Sequence, residues 1–232
     1  FIYTLSIAIL AYPSVGTPFM DHHAVIFSLI SVLFVILAFS TNKPIYWTLI
    51  PMFISISFLS KQIPSAYLLI NIIFFIFVYK YFLSPKNYEF LKYLIIGTFI
   101  SFFLFFFVIL INEIPIKNFL TQYFFYPLEI GNRRGSSLSF DINNILFQFK
   151  FIYFSLIPLI LISFKIIKKI EESENKKDLM IIIFVLFSVI IFIFSKIMTK
   201  NQILIFLLIP FCLGISNYYI KKYYDNKLFL SL

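Results

Sequence analysis

"KYLIIGTFISFFLFFFVILIN", residues 92–112, decides the class of fold to which this chain belongs. No charged residue lies between Lys92 and Glu113, and about 20 apolar residues are what an α-helix needs to cross the hydrocarbon core of a bilayer. The run is continuously apolar, whereas the strands of a membrane β-barrel alternate between apolar and polar residues. It therefore predicts a membrane-spanning α-helix.

Similar runs lie on both sides of this one. Of the 232 residues, 61% are hydrophobic, against roughly 45–50% in a soluble domain. The chain is predicted to be an all-α, polytopic transmembrane helical bundle with about seven spans and a partial one at the N-terminus. The predicted spans are 24–40, 45–60, 65–83, 92–112, 149–165, 179–195 and 202–218, with 1–12 as the end of an earlier span.

We expect the chain to form one domain and to lack the N-terminal part of that domain. Residues 1–232 form a single predicted transmembrane domain, and no long soluble segment separates the apolar runs. The chain opens at Phe1, inside an apolar segment, and has no initiator methionine. We therefore expect a fragment that lacks its N-terminal part.

The basic residues predict how the bundle is oriented. The net charge is +9, but the basic residues lie in short loops between apolar runs, which favours a membrane protein over nucleic-acid binding. Twelve of the 19 Lys and Arg residues fall in one set of alternate loops, which we assign to the cytoplasm. The other seven are Lys61, Lys117, Arg133, Arg134, Lys150, Lys196 and Lys200. We expect a multi-pass protein of a bacterial or archaeal plasma membrane, with an extracytoplasmic active site.

The longest loop, 113–148, falls on the predicted extracytoplasmic side. Five apolar side chains of this loop recur at helical spacing and predict an amphipathic surface helix over 116–126; they are Ile116, Phe119, Leu120, Tyr123 and Phe124. The turn-rich stretch "YPLEIGNRRGSSLSFD", residues 126–141, follows. On the other side, the charge run 165–178 predicts a solvated connector.

Arg133 and Arg134 in this loop are candidate phosphate ligands. Their forked guanidinium donors fit phosphate oxygens, and glycine and serine residues flank the pair. A solvated pair of loop residues is the alternative.

Asp21, His22 and His23 stand directly before a predicted span and include both histidines of the chain. A carboxylate beside two imidazoles supplies ligands for a divalent cation such as Mg²⁺ or Mn²⁺. If the chain approaches the span in a non-helical conformation, Asp21 and His23 point to the same side and form the metal site, with His22 in a supporting or structural role. The alternative is that Asp21 only caps the helix N-terminus.

Lys61 follows an apolar run on the same predicted side of the membrane. It is either a phosphate-binding lysine or a lysine whose ammonium group extends from a span end to the membrane surface.

Two motifs resemble those of the GT-C superfamily of membrane glycosyltransferases. "GTPFMDHHAVIFSL", residues 16–29, resembles the second acidic motif, most closely the form of the archaeal oligosaccharyltransferases, in which Asp-His-His opens a membrane helix. "SISFLSKQIPSA", residues 55–66, is similar to the lysine-containing stretch of the protein-mannosyltransferases and aminoarabinose transferases. Gln62 stands where those relatives have glycine, and the chain has no Trp-Trp-Asp sequence for an acceptor peptide.

The resemblance implies a polyprenyl-phosphate-linked sugar as donor. It implies that Asp21 and His23 help to bind a divalent metal and that Lys61 takes the place of the family's lysine. The family's catalytic acidic residue lies in an earlier outer loop, so we expect the acidic base upstream of Phe1, and the catalytic residue of this chain is unknown.

We expect sugar transfer to an unidentified acceptor on the extracytoplasmic face. A flippase or transporter of lipids or oligosaccharides, and a polymerase or ligase of surface polysaccharide, are the alternatives.

Overall fold

The computed structural model describes residues 1–12, 19–85, 88–135, 143–168, 170, 172–199 and 205–224. Throughout these residues the secondary structure is helical and no β-strand is present, which confirms the all-α prediction. Ten α-helices follow one another as α1 Ile2–Leu10, α2 Met20–Thr41, α3 Pro44–Ser60, α4 Gln62–Val78, α5 Glu89–Ile111, α6 Ile116–Leu120, α7 Tyr126–Gly135, α8 Lys150–Ile167, α9 Ser173–Thr199 and α10 Leu208–Tyr223. Three π-helical turns lie at Tyr79–Leu83, Thr121–Phe125 and Asn143–Phe147.

Within the described ranges, five helices are long and apolar enough to cross a membrane, as expected for a multi-pass membrane protein. They are Met20–Thr41, Gln62–Leu83, Glu89–Ile111, Lys150–Ile167 and Ser173–Met198. The predicted count of about seven spans is not confirmed. α3 has 17 residues, a length of about 25 Å against a hydrocarbon core of about 30 Å. α10 has 16 residues, and its last turn carries Lys221 and Lys222.

The helices alternate in direction, so the bundle has two ends that gather different residues. At one end, Trp47 donates a hydrogen bond from Nε1 to Asn42 Oδ1 at 3.0 Å, and Lys177 Nζ donates to the Ser40 carbonyl at 3.0 Å. We call this the Trp47 end. At the other end Asp21 of α2 meets Lys61, and we call it the Asp21 end.

The core lies along α2 and α9, which pack against α3, α4 and α8. α5 contacts the bundle mainly through α3 and exposes most of its phenylalanines. This pattern suits a helix that faces lipid, because lipid tails are as apolar as the side chains that they meet. Gly97 of α5 lies directly against Thr48 and Pro51 of α3.

Two regions differ from the sequence predictions. The surface helix extends beyond 126 through α7 to Gly135, although we predicted a turn-rich stretch there. A π-helical turn, Thr121–Phe125, precedes Pro127. Proline has no backbone N–H, so the helix lacks one hydrogen-bond donor at Pro127. Within the predicted solvated connector, Asp178 is buried and accepts from Lys222 at 2.7 Å and from the Tyr223 hydroxyl at 2.5 Å. Burial of a carboxylate costs desolvation free energy, which hydrogen-bonding and charged partners of this kind offset.

Candidate functional site

The Asp-His-His triplet lies inside the first turn of α2. The helix begins at Met20 and its N-cap residue is Phe19, so the predicted non-helical approach is wrong, and so is the alternative that Asp21 is the N-cap. Residues i and i+2 of an α-helix point about 200° apart. Asp21 and His23 therefore diverge around the helix axis.

The two histidines have different surroundings. His22 is 6% exposed, its Nδ1 accepts a hydrogen bond from the Phe19 backbone N–H at 3.3 Å, and its ring stacks on that of Phe19. It satisfies a backbone donor of the N-cap residue, as the third helical residue of a capping box does. His23 is exposed, and its ring stacks on Phe27 with the ring centroids 6.3 Å apart.

Lys61 forms an ion pair with Asp21. Lys61 sits at the junction between α3 and α4, where an extended backbone (φ −162°, ψ 135°) separates the two helices. The side chains are 30% and 19% exposed, for Lys61 and Asp21 respectively. The two motifs that the sequence placed on one side of the membrane therefore meet in one partly buried pair.

Three buried serines lie next to this pair inside the bundle. Ser57 and Ser65 hydroxyls are 2.6 Å apart, and Ser28 and Ser57 hydroxyls are also 2.6 Å apart. Ser65 donates to the Lys61 carbonyl oxygen at 3.1 Å. Small residues let α2, α3 and α4 approach closely, and their hydroxyls join the helices beneath the ion pair.

The surface helix is anchored beside the same junction. The Gln62 side chain donates to the Tyr123 carbonyl oxygen, and the Tyr123 hydroxyl donates to the Phe58 carbonyl oxygen. Burial raises the pKa of Tyr123 above its ordinary value, so the hydroxyl remains protonated and can donate. Gln62 thus holds the surface helix in place.

An apolar pocket opens between α3, α4 and α5, and α6 covers its end nearest the ion pair. Its volume is about 500 Å³, within the ~300–1,000 Å³ range of small-molecule sites. It extends from Pro51 to Leu59 of α3, about 12 Å along the helix axis. Each of the four helices contributes to the lining, for example Phe58 of α3, Ser65 of α4, Phe105 of α5 and Phe119 of α6.

Lys196, near the end of α9, belongs to the same region, although sequence reasoning had only counted it among the basic residues of one side. Its side chain is 2% exposed, and its ammonium group interacts electrostatically with Asp21, Lys61 and His22. The available signal was a lysine placed inside the apolar run 179–198, because ionisable residues within spans are rare and often functional.

Arg133 and Arg134 belong to α7, but their side chains lie outside what the structure describes, as do residues 136–142 of the loop and Lys200. Their assignment as phosphate ligands stays a prediction.

The catalytic base is the other assignment that the structure does not reach, because it is expected upstream of Phe1. Phe1 is the first residue that the structure describes, and it lies exposed at the N-cap of α1. The predicted position of the acidic base therefore falls outside the described residues, and the base stays unassigned.

The residues present do not by themselves fit a divalent cation. Across the described ranges no three His, Cys, Asp or Glu side chains converge. The Asp21 carboxylate accepts from Lys61, and His23 points elsewhere. The metal site stays a prediction.

Comparison of the chain with protein-family models, with curated proteins and with solved structures found no match. The GT-C resemblance is therefore carried by the two motifs alone.

Proposed function

We propose that this protein is a membrane glycosyltransferase of the GT-C type, which moves a sugar from a polyprenyl-phosphate donor to an acceptor on the extracytoplasmic face. The observation that carries the proposal is the Asp21–Lys61 pair close to one end of an apolar pocket, where Ser65 both lines the pocket and hydrogen-bonds the Lys61 carbonyl oxygen. A polyprenyl phosphate has the matching shape, with a charged phosphate at the membrane surface and an apolar chain within the bilayer. The pocket accommodates the first part of the chain, next to the headgroup.

In such a transfer the acceptor atom bonds to the anomeric carbon while the bond from that carbon to the phosphate oxygen breaks. The phosphate leaves on the lipid with additional negative charge. The Lys61 ammonium stabilises this charge, since a fixed cation in a partly water-excluded site acts more strongly than one in water. The acceptor proton passes to a base that is not assigned among the described residues.

The test uses the full-length protein in liposomes with polyprenyl-phosphate sugars that differ in chain length. Ser55 lines the pocket, whereas Ile56, the next residue of α3, lies outside it and is exposed. Ser55→Phe fills part of the pocket, so we expect the KM to rise about tenfold for donors whose chain extends past Ser55, and to change little for a donor whose chain is too short to reach it. Ile56→Phe is the matched control and leaves both values unchanged.

Two results contradict the proposal in different ways. Donors that remain intact when native acceptor membranes are supplied exclude transfer. If a fluorescent lipid-linked sugar then moves from one leaflet of the bilayer to the other and keeps its sugar, the protein is a flippase. If the Ser55→Phe variant has the wild-type KM for every chain length, the pocket does not bind the donor.

A further inference from the structure

Lys196 lies at the same depth of the bundle as Lys61. Asn71 of α4 donates to Ser188 of α9 at 3.0 Å and sets the register of these antiparallel helices. Going from this contact toward the Asp21 end, Lys196 is eight residues along α9, a rise of about 12 Å. Lys61 is ten residues back along the chain, just before the first helical turns of α4. The Tyr67–Phe194 ring contact also joins α4 and α9, with the ring centroids 5.5 Å apart. It lies between the Asn71–Ser188 contact and the two lysines.

Among the residues that the structure describes, this cluster holds more positive than negative charge. Lys61 is ion-paired with Asp21, and Lys196 interacts electrostatically with the same carboxylate. Removing an ammonium from water is unfavourable unless an anion compensates it, and Lys196 is almost fully buried. The N-terminus of α2 adds partial positive charge beside Asp21. A divalent cation would meet repulsion here, whereas a further anion would complete the charge balance.

The end of the apolar pocket that Leu59 and Ser65 line lies nearest this positive cluster. Ser65 both lines the pocket and hydrogen-bonds the backbone of Lys61. A ligand whose chain fills the pocket therefore places its headgroup by Lys61. A phosphate group satisfies the unbalanced positive charge, and its several oxygens can accept from two ammonium groups at once.

We infer that Lys196 and Lys61 together bind the phosphate of a lipid whose chain occupies the pocket, and that Asp21 is the internal counter-ion which this phosphate displaces. Lys196 is then a binding residue that the sequence motifs do not include. Asp21 keeps the two lysines close together when no lipid is bound. The inference deepens the proposed function, because it rests on the same donor site, and it assigns Asp21 a role other than metal binding.

The experiment measures the affinity of the full-length protein in nanodiscs for undecaprenyl phosphate and for uncharged undecaprenol. We expect Lys196→Met to weaken undecaprenyl phosphate binding at least tenfold, about 1.4 kcal/mol, and to leave undecaprenol binding unchanged. Lys196→Arg restores most of the affinity. Lys150→Met is the matched control, because Lys150 lies at the same end of the bundle and is exposed.

Asp21→Asn separates this inference from the metal prediction. Removing a carboxylate that competes with phosphate should tighten undecaprenyl phosphate binding severalfold, and EDTA should have no effect. Weaker binding in Asp21→Asn or after EDTA would favour the metal and overturn the inference. An unchanged affinity in Lys196→Met overturns it too.

A measurement on the wild type keeps the test valid even if Lys196→Met does not fold. The wild type should prefer undecaprenyl phosphate to undecaprenol at least tenfold, and equal affinities would overturn the inference. Equal competition by phosphatidylglycerol would support the phosphate site and contradict the donor assignment in the proposed function. If the phosphate site is confirmed but no sugar is transferred, only the proposed function fails.

Discussion

Neighbouring histidines of α2 have different physical roles, although the sequence presents them as a pair. His22 is buried and accepts the Phe19 backbone N–H, whereas His23 is exposed on another side of the helix. The difference arises from the rotation of about 100° between successive helical residues. Because the helix starts before the triplet and not after it, this rotation applies to Asp21, His22 and His23 alike.

His22→Ala should lower the free energy of unfolding by about 1 kcal/mol, because the N-cap backbone loses its acceptor. In a chain of this size that corresponds to a fall in Tm of about 2–4 °C, measured by intrinsic fluorescence in detergent. His22→Gln offers a side-chain acceptor at the same helix position and should recover most of the loss. His23→Ala is the control, with a Tm near that of the wild type; equal losses in the two alanine variants would contradict the different roles.

At the scale of helices, the contact between α3 and α5 depends on the missing side chain of Gly97. A Cβ atom at this position would overlap the Thr48 carbonyl oxygen and lie 2.6 Å from Pro51 Cγ. The carbonyl belongs to the α3 backbone, so relief requires the helices to separate. This contact also positions α3 and α5, which form two walls of the apolar pocket.

Gly97→Ala should therefore destabilise the protein by about 1–3 kcal/mol, the typical cost of overpacking. Gly214 of α10 is the matched control, because a Cβ there would meet Tyr3 at an ordinary 3.5 Å. Alanine has the higher helix propensity, so Gly214→Ala should leave the Tm unchanged or raise it. Thermal unfolding of both variants checks the prediction, and a Gly97→Ala variant as stable as Gly214→Ala would show that α3 and α5 are further apart.

For the whole molecule, the two ends of the bundle should face opposite sides of the membrane. Lys43 lies at the Trp47 end and Lys117 at the Asp21 end, and both are exposed. The larger share of basic residues belongs to the Trp47 end, which the positive-inside rule assigns to the cytoplasm.

In a variant without the thiol of Cys212, an impermeant maleimide should label Lys117→Cys in intact cells and Lys43→Cys only after permeabilisation. Removal of this cysteine avoids background labelling, although the side chain is buried. The reverse pattern would place the Asp21–Lys61 pair on the cytoplasmic side and contradict the extracytoplasmic site. Labelling of both positions in intact cells would contradict the helix topology itself.

The sequence by itself determined the class of fold and most of the spans, and it predicted on which side of the membrane each loop lies. These properties depend on composition and order along the chain, since about 20 apolar residues make a span and alternating spans sort the loops between two sides. The proximity of Asp21 and Lys61 was predicted only as a shared side of the membrane. The spans at α3 and α10 are not confirmed, because these helices are short.

Only the tertiary structure decided which side chains meet. Lys196 interacts electrostatically with Asp21 because α9 packs beside α2 and α4 in one register, which hydropathy does not encode. The apolar pocket depends on the spacing of three helices and on the docking of the surface helix through Gln62 and Tyr123. Spacing, rotation and register result from the packing of all the helices together, so local sequence patterns do not reveal them.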